Sequence, residues 1–579
     1  MAYDDSSYGR STLLVVSCLE SVLLRSFGPG GGLVLFTRDT GEVLLTRHGQ
    51  KILRSLHIAH PVARMIVDCI QGHCTMTADG SKSFVLLLAS LLRRIRAPSK
   101  ACWDMSNSRA RHLARRLLEF CHDGLDDVIM RQVTPHVSAL YSYPGGVLEG
   151  LVAGYLTGRL ATGQAEVLTP LICQFYRKWH VGQQTMAETV RFIHTHFPVL
   201  HQTVSGLPIG RSFVQEGLLL DCDWTVFFET REKESIRLLV FNESEFSINN
   251  AAYVFENCIY NGQAMGRRLC TQVEELDVTV LLSPVTCPDA LLQWAAQKRL
   301  CVAECVDPPL LDLLSQLAQS EAAAVGRVAT VTSVSRAVSG GRRLACVGLT
   351  PTRPQNNREH LLHPHTLLLC GPGPGPLDQY RSACQGVFTM LHSVCEAEHT
   401  LTPMDRSQNS HTDQSEEMSH NPVQLHSPVE SETTVPDPAT SHDPLCWLLR
   451  AGHVLPVGGV FEMLLHHFLM SSDWSAREPE ACSVLAESVL DLPRMLHSGK
   501  PCLFMQSHAS LLDKLRSGTS HRTHSGGLEG VSCKQQLLLS VLQCAYKLLS
   551  IDHVLHTHTP VSTLLDSTKT TQQDEDDGD

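Results

Sequence analysis

Residues 28–32 read GPGGG, residues 46–49 read TRHG, residues 60–61 read HP and residues 78–83 read ADGSKS. A further glycine pair lies far downstream at Gly458-Gly459. Glycine-rich turns can bind phosphate, because their backbone N–H groups approach a ligand closely and the N-terminus of a following helix adds positive potential. Taken singly, each turn is explained better by ordinary chain reversal, so only the order and spacing of the turns can indicate a function.

Hydrophobic periodicity predicts the elements that flank these turns. A helix at residues 12–26 precedes the first turn, and two short strands at residues 33–37 and 42–46 form a hairpin after it. A helix begins at His60-Pro61, since proline is tolerated in the first helical turn, and an apolar helix at residues 83–92 follows the last turn.

Residues 106–200 are predicted to be mostly helical, and the pattern changes near Gly206. Beyond that point short apolar strands alternate with helices, which is typical of an α/β region. The strands are predicted at residues 237–241, 278–282, 300–306 and 367–369, and the helices at residues 289–297 and 309–317. The run GPGPGP at residues 371–376 is expected to be a stiff, turn-rich connector.

Helical segments return towards the C-terminal end of the chain. A glycine turn leads into a helix at residues 454–462, and residues 534–551 form a long apolar helix. Helical segments therefore precede and follow the α/β region, which predicts one domain built from both ends of the chain with a second domain inserted. Residues 397–443 contain few large apolar side chains and are predicted to be disordered, because they cannot bury enough surface to offset their ordering entropy.

The composition excludes several classes of protein. The 579 residues carry a net charge of -12, which argues against nucleic acid as the main partner, because phosphate binding needs a basic face. The longest apolar stretches, such as residues 84–92, are about half as long as the ~20 residues that a membrane span requires. Residues 1–5 lack the features of a signal peptide, and the 21 cysteines and 30 histidines show no zinc-site spacing. We therefore expect a non-secreted protein with reduced thiols, no membrane insertion and no structural metal.

In their order and spacing, the turn motifs resemble those of group II chaperonins of the TCP-1 type. The patterns of that family are Gly-Pro-Lys-Gly, Thr-Asn-Asp-Gly, His-Pro and Gly-Asp-Gly-Thr-Thr, and they match the four stretches at residues 28–83 in sequence order. Residues 457–462, VGGVFE, resemble the family's Gly-Gly-Gly-Ala-x-Glu, and residues 549–552, LSID, resemble its C-terminal Leu-x-Ile-Asp. Residues 36–45, 60–69 and 454–459 resemble in particular the chaperonin-like branch associated with Bardet–Biedl syndrome.

The resemblance implies an α/β multidomain fold, the group II chaperonin subunit fold, with a helical equatorial domain, a small intermediate domain and an α/β apical domain. The implied boundaries are residues 1–145 for the N-terminal equatorial part, 146–205 for the first intermediate segment, 206–350 for the apical domain, 351–376 for the returning intermediate segment, 377–396 for an intermediate-to-equatorial helix, 397–443 for the disordered insert, 444–560 for the C-terminal equatorial part and 561–579 for an acidic tail.

The resemblance also implies a site for ATP and Mg²⁺. The residues that match the family's nucleotide-binding motifs are Gly28, Pro29, Gly30, Asp79, Gly80, Ser81, Gly458 and Gly459. Asp79 matches the aspartate that binds the metal ion, so it is also the predicted Mg²⁺ ligand.

Several positions depart from the family pattern. His48 replaces the aspartate of Thr-Asn-Asp-Gly, Lys82 replaces the second threonine after Asp-Gly, and Val457 replaces a glycine. Gln385 stands where the family has its hydrolytic aspartate; a glutamine cannot act as a carboxylate base, although it can orient a water molecule. Asp378 is the nearest upstream carboxylate, about two helical turns away. Lys82 could contact phosphate or be a solvated helix residue. We therefore predict ATP binding with impaired hydrolysis and assign no catalytic residue.

By resemblance, the expected function is that of an assembly chaperone for the BBSome, the coat-like complex that traffics membrane proteins to cilia. The implied partners are other chaperonin-like Bardet–Biedl proteins, subunits of the TCP-1 ring complex and BBSome subunits as clients. The implied location is the cytoplasm, with association to the basal body or centrosome and the cilium. Two alternatives stay open, an active ATP-driven folding chaperonin and a passive module that recruits partners through residues 397–443.

Overall fold

A computed structural model describes residues 5–28, 30–37, 43–96, 103–136, 141–142, 146–180, 185–229, 236–241, 270–271, 273–287, 289–323, 326–349, 364–401, 453–517, 521–522 and 527–551. Pro29, residues 402–443 of the predicted insert and the acidic tail at residues 561–579 lie outside the described residues.

The helices of the described residues, labelled α1 to α17 in chain order, are Asp5–Leu24, Gly49–Ser55, Pro61–Thr77, Ser81–Ile95, Trp103–Asp123, Leu125–Val128, Val147–Thr157, Thr162–Trp179, Met186–His196, Asp289–Gln297, Pro308–Leu317, Pro374–Leu401, Val460–Ser471, Asp473–Arg477, Pro479–Leu496, Pro501–Ser517 and Val531–Ser550. A π-helical turn, Ile129–Val133, follows α6, and a 3-10 turn lies at Ile209–Arg211.

The strands of the same residues, β1 to β17, are Val34–Thr37, Val43–Thr46, Tyr141–Ser142, His201–Ser205, Phe213–Glu216, Leu218–Leu219, Ile236–Phe241, Val280–Leu282, Cys301–Ala303, Glu321–Ala323, Gly326–Val331, Ser333–Ser339, Arg342–Gly348, His365–Gly371, Val454–Pro456, His521–Arg522 and Leu528–Gly530.

Helix α4 lies at the centre of a helical domain that is built from both ends of the chain. Its residues 84–92 are buried without interruption, as expected for a helix that is apolar on every face. It packs against α1 from one end of the chain and against α15 and α17 from the other. Arg94 Nη2 on α4 also contacts Asp491 Oδ2 on α15 at 2.8 Å. One continuous hydrophobic core therefore joins the two ends of the chain.

A second core connects this helical domain to the α/β part. It contains the large buried side chains of α7, α8, α9 and α12, together with apolar residues of the sheets beyond them. Strand β14 lies at the centre of a three-stranded sheet, parallel to β4 and antiparallel to β5. The indole Nε1 of Trp179, which is fully buried in α8, donates a hydrogen bond of 3.1 Å to the backbone oxygen of His365 on β14. Strands β4 and β5, which follow the helices α7 to α9, therefore lie in the same sheet as β14, which precedes helix α12.

The α/β part carries a five-stranded sheet in the order β10-β11-β7-β8-β9. Strands β7, β8 and β9 are parallel and β10 and β11 are antiparallel, while α10 and α11 connect and follow the parallel strands. The short strands are almost continuously apolar, as expected for parallel strands that are covered on both faces. A smaller antiparallel sheet, β12-β13-β6, lies beside it.

Most of the predicted elements are confirmed, with shifted boundaries. The predicted hairpin is the antiparallel pair β1–β2, and the helix predicted from His60-Pro61 begins at Pro61 and extends to Thr77. The predicted connector at residues 371–376 is wrong in its second half, because helix α12 already begins at Pro374, where proline fits the first turn. The same helix continues to Leu401, so the first residues of the predicted insert are helical. The residue-level domain boundaries stay a prediction.

Two glycines allow helix α7 to lie directly on strand β17. A Cβ added to Gly154 would collide with the backbone oxygen of Leu528, and one added to Gly527 would collide with the backbone nitrogen of Gly154. Since no side chain fits between these backbones, α7 and β17 form a rigid pair beneath the turns described above.

We predict that Gly154→Ala lowers the free energy of unfolding by about 1–3 kcal/mol, because the added methyl group overpacks a backbone contact. Chemical unfolding followed by circular dichroism measures the change. The matched control is Gly163→Ala on α8, where nothing lies within 4 Å of the added Cβ, and where alanine should leave stability unchanged or raise it. Equal effects of the two substitutions would contradict the packing argument.

Candidate functional site

A cavity of about 670 Å³ lies where the glycine turns from both ends of the chain meet. Seven of the eight predicted nucleotide-binding residues line it, and the eighth, Pro29, lies outside the described residues. The seven are Gly28, Gly30, Asp79, Gly80, Ser81, Gly458 and Gly459. The ionisable side chains that complete the lining are Arg47, His48, Lys82, Arg159, Glu462, His497, Lys500, Glu529 and Lys534.

The turns of the cavity need glycine for their backbone geometry. Gly80 and Gly459 precede the first residues of α4 and α13 with φ values of 79° and 89°, in the left-handed region that disfavours side chains. A Cβ on Gly80 would also lie 2.7 Å from His73 Nε2, and one on Gly459 would lie 2.5 Å from the Cβ of Pro493. The N–H groups of the first helical turns have no acceptor within their helices, so they are free to bind an anion.

The Thr-x-x-Gly motif brings β2 against the start of α4. A Cβ on Gly49 would lie 2.5 Å from Ser81 Oγ and 2.7 Å from Lys82 Cγ. The motif therefore ends in glycine, because no side chain fits between this residue and the start of α4. The hydroxyl oxygen of Thr46 accepts a hydrogen bond of 3.0 Å from the backbone N–H of His48. These contacts place His48 in the cavity wall.

The imidazole of His48 is uncharged. Burial, together with the neighbouring cations Arg159 and Lys51, lowers the pKa of His48 to about 3 against an opposing effect of Asp79. Within the part of the chain that the structure describes, its buried Nδ1 has no hydrogen-bond partner. The position that carries an aspartate in the family pattern therefore brings no negative charge to this cavity.

The carboxylate of Asp79 is bound by the guanidinium of Arg159. Arg159 Nη2 donates to Asp79 Oδ1, and the backbone N–H of Gly80 donates to the same oxygen at 2.5 Å. Burial raises the pKa of Asp79, but Arg159 and the Gly80 N–H outweigh burial and lower it to about 2. The guanidinium is held in turn by the backbone oxygen of Tyr155 at 2.6 Å and by the Tyr155 ring, whose centroid lies 3.6 Å from its central carbon.

Lys82 lies in the cavity wall rather than on a solvated helix face. It is half-buried, and its Nζ donates to the backbone oxygen of Ser26, which ties the start of α4 to the end of α1. Burial lowers the pKa of Lys82 to about 8, and the positive charges of Arg159 and Arg47 contribute to the shift. The solvated alternative for this residue is thereby excluded.

A buried cluster of Lys534, Glu462 and Glu529 also lines the cavity. Lys534 Nζ contacts Glu462 Oε1 at 2.8 Å and Glu529 Oε2 at 3.0 Å, with the Glu462 side chain only 5% exposed. Burial disfavours the charged lysine, but the two carboxylates outweigh that effect and raise the pKa of Lys534. Burial raises the pKa of Glu529 to about 7, an effect that Lys534 opposes and Glu462 strengthens.

Helix α12 brings no carboxylate to the cavity. Gln385 is exposed, and neither Gln385 nor Asp378 is part of the cavity lining. Asp378 instead forms an exposed ion pair with Arg381 at 2.8 Å. The polar side chains of α12 that border a small pocket next to the cavity are those of Gln379 and Ser382. The described residues of α12 therefore bring no carboxylate base to the cavity.

Sequence reasoning missed three basic residues of the site, Arg159, Lys500 and Lys534. Arg159 follows the glycine that ends α7, and Lys534 lies in the first turn of α17. A single basic residue at the end or start of a helix is usually solvated, so sequence position alone does not indicate that Arg159 or Lys534 lines the cavity. Glu462 was detectable, since it occupies the glutamate position of the second glycine motif.

The residues present do not fit a Mg²⁺ ion at Asp79. Magnesium prefers several oxygen ligands in octahedral geometry, commonly including one or two carboxylates. In the described part of the cavity, Asp79, Glu462 and Glu529 all contact basic side chains. No group of three or more His, Cys, Asp or Glu residues that could hold a metal occurs among the described residues. The assignment of Asp79 as a metal ligand thus remains a prediction that this geometry does not favour.

A helical domain built from both chain ends, an α/β insertion and a glycine-lined cavity between the end segments define a chaperonin subunit. The chain belongs to the TCP-1/cpn60 chaperonin family, whose family model matches residues 19–401. The fold class expected from the sequence is confirmed by a solved structure, the crystal structure of a group III chaperonin in the open state. Its TM-score is 0.58 at 14% identity, with 94% of this chain and 98% of that chain covered.

The chain is similar over almost its whole length to curated proteins named BBSome complex assembly protein BBS10. The protein from Homo sapiens is 25% identical, with 94% of this chain and 96% of the relative covered, and the protein from Pongo abelii is 24% identical with the same coverage. T-complex protein 1 subunit alpha from Tetrahymena pyriformis is 34% identical over 84 residues, which is 14% of this chain and 15% of that protein. Among the helices of the described residues, none is both long enough and apolar enough to cross a membrane.

We predict that Lys534→Met lowers the free energy of unfolding by about 3–5 kcal/mol, because it leaves Glu462 and Glu529 buried without their cation. Lys298→Met is the matched control, since Lys298 forms an exposed pair with Glu274 at 2.7 Å and its loss should change stability by less than about 1 kcal/mol. Adding Glu462→Gln to Lys534→Met should recover part of the loss. Chemical unfolding of the four proteins measures these effects, and similar values for the two lysine variants would be inconsistent with a buried pair.

His73 should make folding stability depend on pH. The side chain is buried between Thr77 and Ser540, and burial lowers the pKa of His73 to about 4, against an opposing effect of Asp79. Below its ordinary pKa of 6.5, the unfolded chain binds a proton at His73 that the folded chain does not bind. The contribution of His73 to stability is therefore present above pH 6.5 and is lost as the pH falls towards 4, by at most about 1.4 kcal/mol per pH unit.

Unfolding curves of the wild type and of His73→Gln at several pH values test this expectation. The variant should show a weaker loss of stability between pH 6.5 and pH 4 than the wild type. His122→Gln, at an exposed position on α5, is the control and should follow the wild type. Identical slopes for His73→Gln and the wild type would rule out this role for His73.

Proposed function

We propose that this chain is a chaperonin-like assembly chaperone that assists assembly of the BBSome. The observation that carries the proposal is the similarity over 94% of the chain to proteins named BBSome complex assembly protein BBS10. Membership of the TCP-1/cpn60 family supports chaperone activity, and local similarity to T-complex protein 1 subunits supports cooperation with TCP-1 ring subunits and related chaperonin-like proteins. A cytoplasmic location with association to the basal body, centrosome and cilium belongs to the same proposal.

ATP is the proposed ligand of the cavity, with hydrolysis that is slow or absent. The glycine turns at Gly28, Gly80 and Gly459 and the basic lining support binding of a phosphate chain. The neutral imidazole of His48 and the lack of a carboxylate on the α12 residues beside the cavity support poor turnover, because hydrolysis needs a group that activates or orients water. The proposed role of ATP is therefore to stabilise a conformation rather than to drive repeated cycles.

The assembly role predicts that ciliated cells depleted of the endogenous protein lose intact BBSome. Re-expression of the full-length chain should restore the complex, as measured by sedimentation of BBSome subunits, and affinity purification should recover TCP-1 ring and BBSome subunits with the chain. Gln385→Ala should restore assembly as well as the wild type, because the proposed function does not use hydrolysis at that position. Normal BBSome assembly in depleted cells would refute the assembly role.

The second candidate function is an active, ATP-driven folding chaperonin, which the family fold itself favours. It predicts a particle of multi-subunit ring mass that closes on addition of nucleotide. It also predicts Mg²⁺-dependent ATPase activity that Asp79→Ala abolishes. Size-exclusion chromatography and an ATPase assay on the purified chain separate the two functions, since the assembly chaperone should show at most background hydrolysis.

A further inference from the structure

The guanidinium of Arg159 is fixed beside Asp79 by more contacts than a single ion pair provides. In addition to Asp79, Arg159 donates to the backbone oxygen of Tyr155 at 2.6 Å and to that of Ala78 at 3.4 Å, and it stacks on the Tyr155 ring. The backbone oxygen of Arg159 accepts a hydrogen bond of 3.1 Å from Gln379 Nε2 on α12. The side chain is only 13% exposed. The guanidinium is therefore held beside Asp79 by several contacts at once.

The charges of the cavity favour an anion that carries no metal ion. Five basic side chains and three carboxylates line the described cavity, so basic groups outnumber acidic groups by two, and each carboxylate contacts Arg159 or Lys534. Among the described residues no carboxylate lies within ion-pair distance of Arg47, Lys82 or Lys500. These three cations are available to a ligand.

We propose that the cavity binds the phosphate chain of a nucleoside di- or triphosphate without a divalent cation, with the Arg159 guanidinium in the place beside Asp79 that the family pattern gives to Mg²⁺. The proposal rests on the proposed function in one respect, namely that a nucleotide is the ligand. Arg159 satisfies Asp79, and the charge of the phosphate chain is balanced by Arg47, Lys82 and Lys500 together with the N–H groups of the glycine turns.

Simple electrostatics explain why a metal ion is unnecessary here. A Mg²⁺ ion next to Asp79 would lie close to the fixed positive charge of Arg159, and the repulsion between the two cations would oppose its binding. His48 brings no negative charge to compensate. A metal-free nucleotide has a higher negative charge than its magnesium complex, so the basic cavity should prefer it.

Isothermal titration calorimetry of the full-length chain with ATP tests the proposal, once in excess EDTA and once in excess MgCl2. We expect the affinity in EDTA to be equal to or higher than the affinity in MgCl2. ATP with EDTA should also raise the thermal unfolding temperature at least as much as ATP with MgCl2. ATP binding that occurs only in MgCl2 would overturn this proposal while leaving the proposed nucleotide site and the assembly role intact.

Variants identify the residues responsible. Arg159→Ala should weaken ATP binding in EDTA by about tenfold or more, since it leaves the negative charge of Asp79 uncompensated beside the phosphate chain, and MgCl2 should restore part of the loss because Asp79 can then contact the ion. Lys500→Ala, at an exposed position, should weaken binding in EDTA without affecting folding. Arg177→Ala, which removes the exposed partner of Glu149, is the matched control and should bind like the wild type.

The remaining outcomes are also decisive. Unchanged ATP binding in EDTA by both Arg159→Ala and Lys500→Ala would overturn the proposal. If Arg159→Ala does not fold, the binding of ATP to Lys500→Ala and the comparison of the wild type in EDTA and in MgCl2 still decide it. If ATP binds in neither medium, this proposal and the proposed ligand both fail, whereas the assembly role is judged separately by the depletion experiment.

Discussion

The burial of helix α4 on all sides is the constraint on which the rest of the structure depends. A helix with a continuous apolar surface needs partners around its whole circumference, and the partners come from both ends of the chain. The first residues of α4 form the floor of the cavity, while α13 and α17 bring the downstream glycine turn and Lys534 to the same place. The site can therefore form only when the two chain ends have packed together.

Much of this fold could be predicted from the sequence, because glycine and proline motifs report backbone geometry directly. No larger side chain fits the close contact between Gly49 and Ser81, and the positive φ of Gly80 and Gly459 disfavours other residue types. These glycines therefore occur in the sequence in a recognisable order. The connector before α12 was mispredicted because proline is compatible both with a turn and with the first turn of a helix, and local sequence does not distinguish them.

The charges of the site were harder to predict than its backbone. Arg159 lies 80 residues from Asp79 and Lys534 lies 72 residues from Glu462, the carboxylates that they bind, and neither basic residue belongs to a glycine motif. Their roles follow from tertiary packing, in which α7 and α17 approach α4 and α13. The absence of acidic residues at His48 and Gln385 was visible in the sequence, whereas the contact of Arg159 with Asp79 was visible only in the structure. The family resemblance therefore describes the backbone of this cavity better than the ionisable side chains that line it.

Helix α12 links this cavity mechanically to the α/β part of the molecule. It follows strand β14 after a two-residue turn, and its 28 residues give a rod about 42 Å long. Along this rod, Gly386 lies so close to the Tyr155 hydroxyl that a methyl group would not fit, and Gln379 holds the backbone of Arg159. A tilt of the β4–β14–β5 sheet would therefore move the aromatic ring that supports the guanidinium. Because linked equilibria are reciprocal, a ligand that bound beside Arg159 more tightly in one orientation of that sheet would favour that orientation, even without turnover chemistry in the cavity.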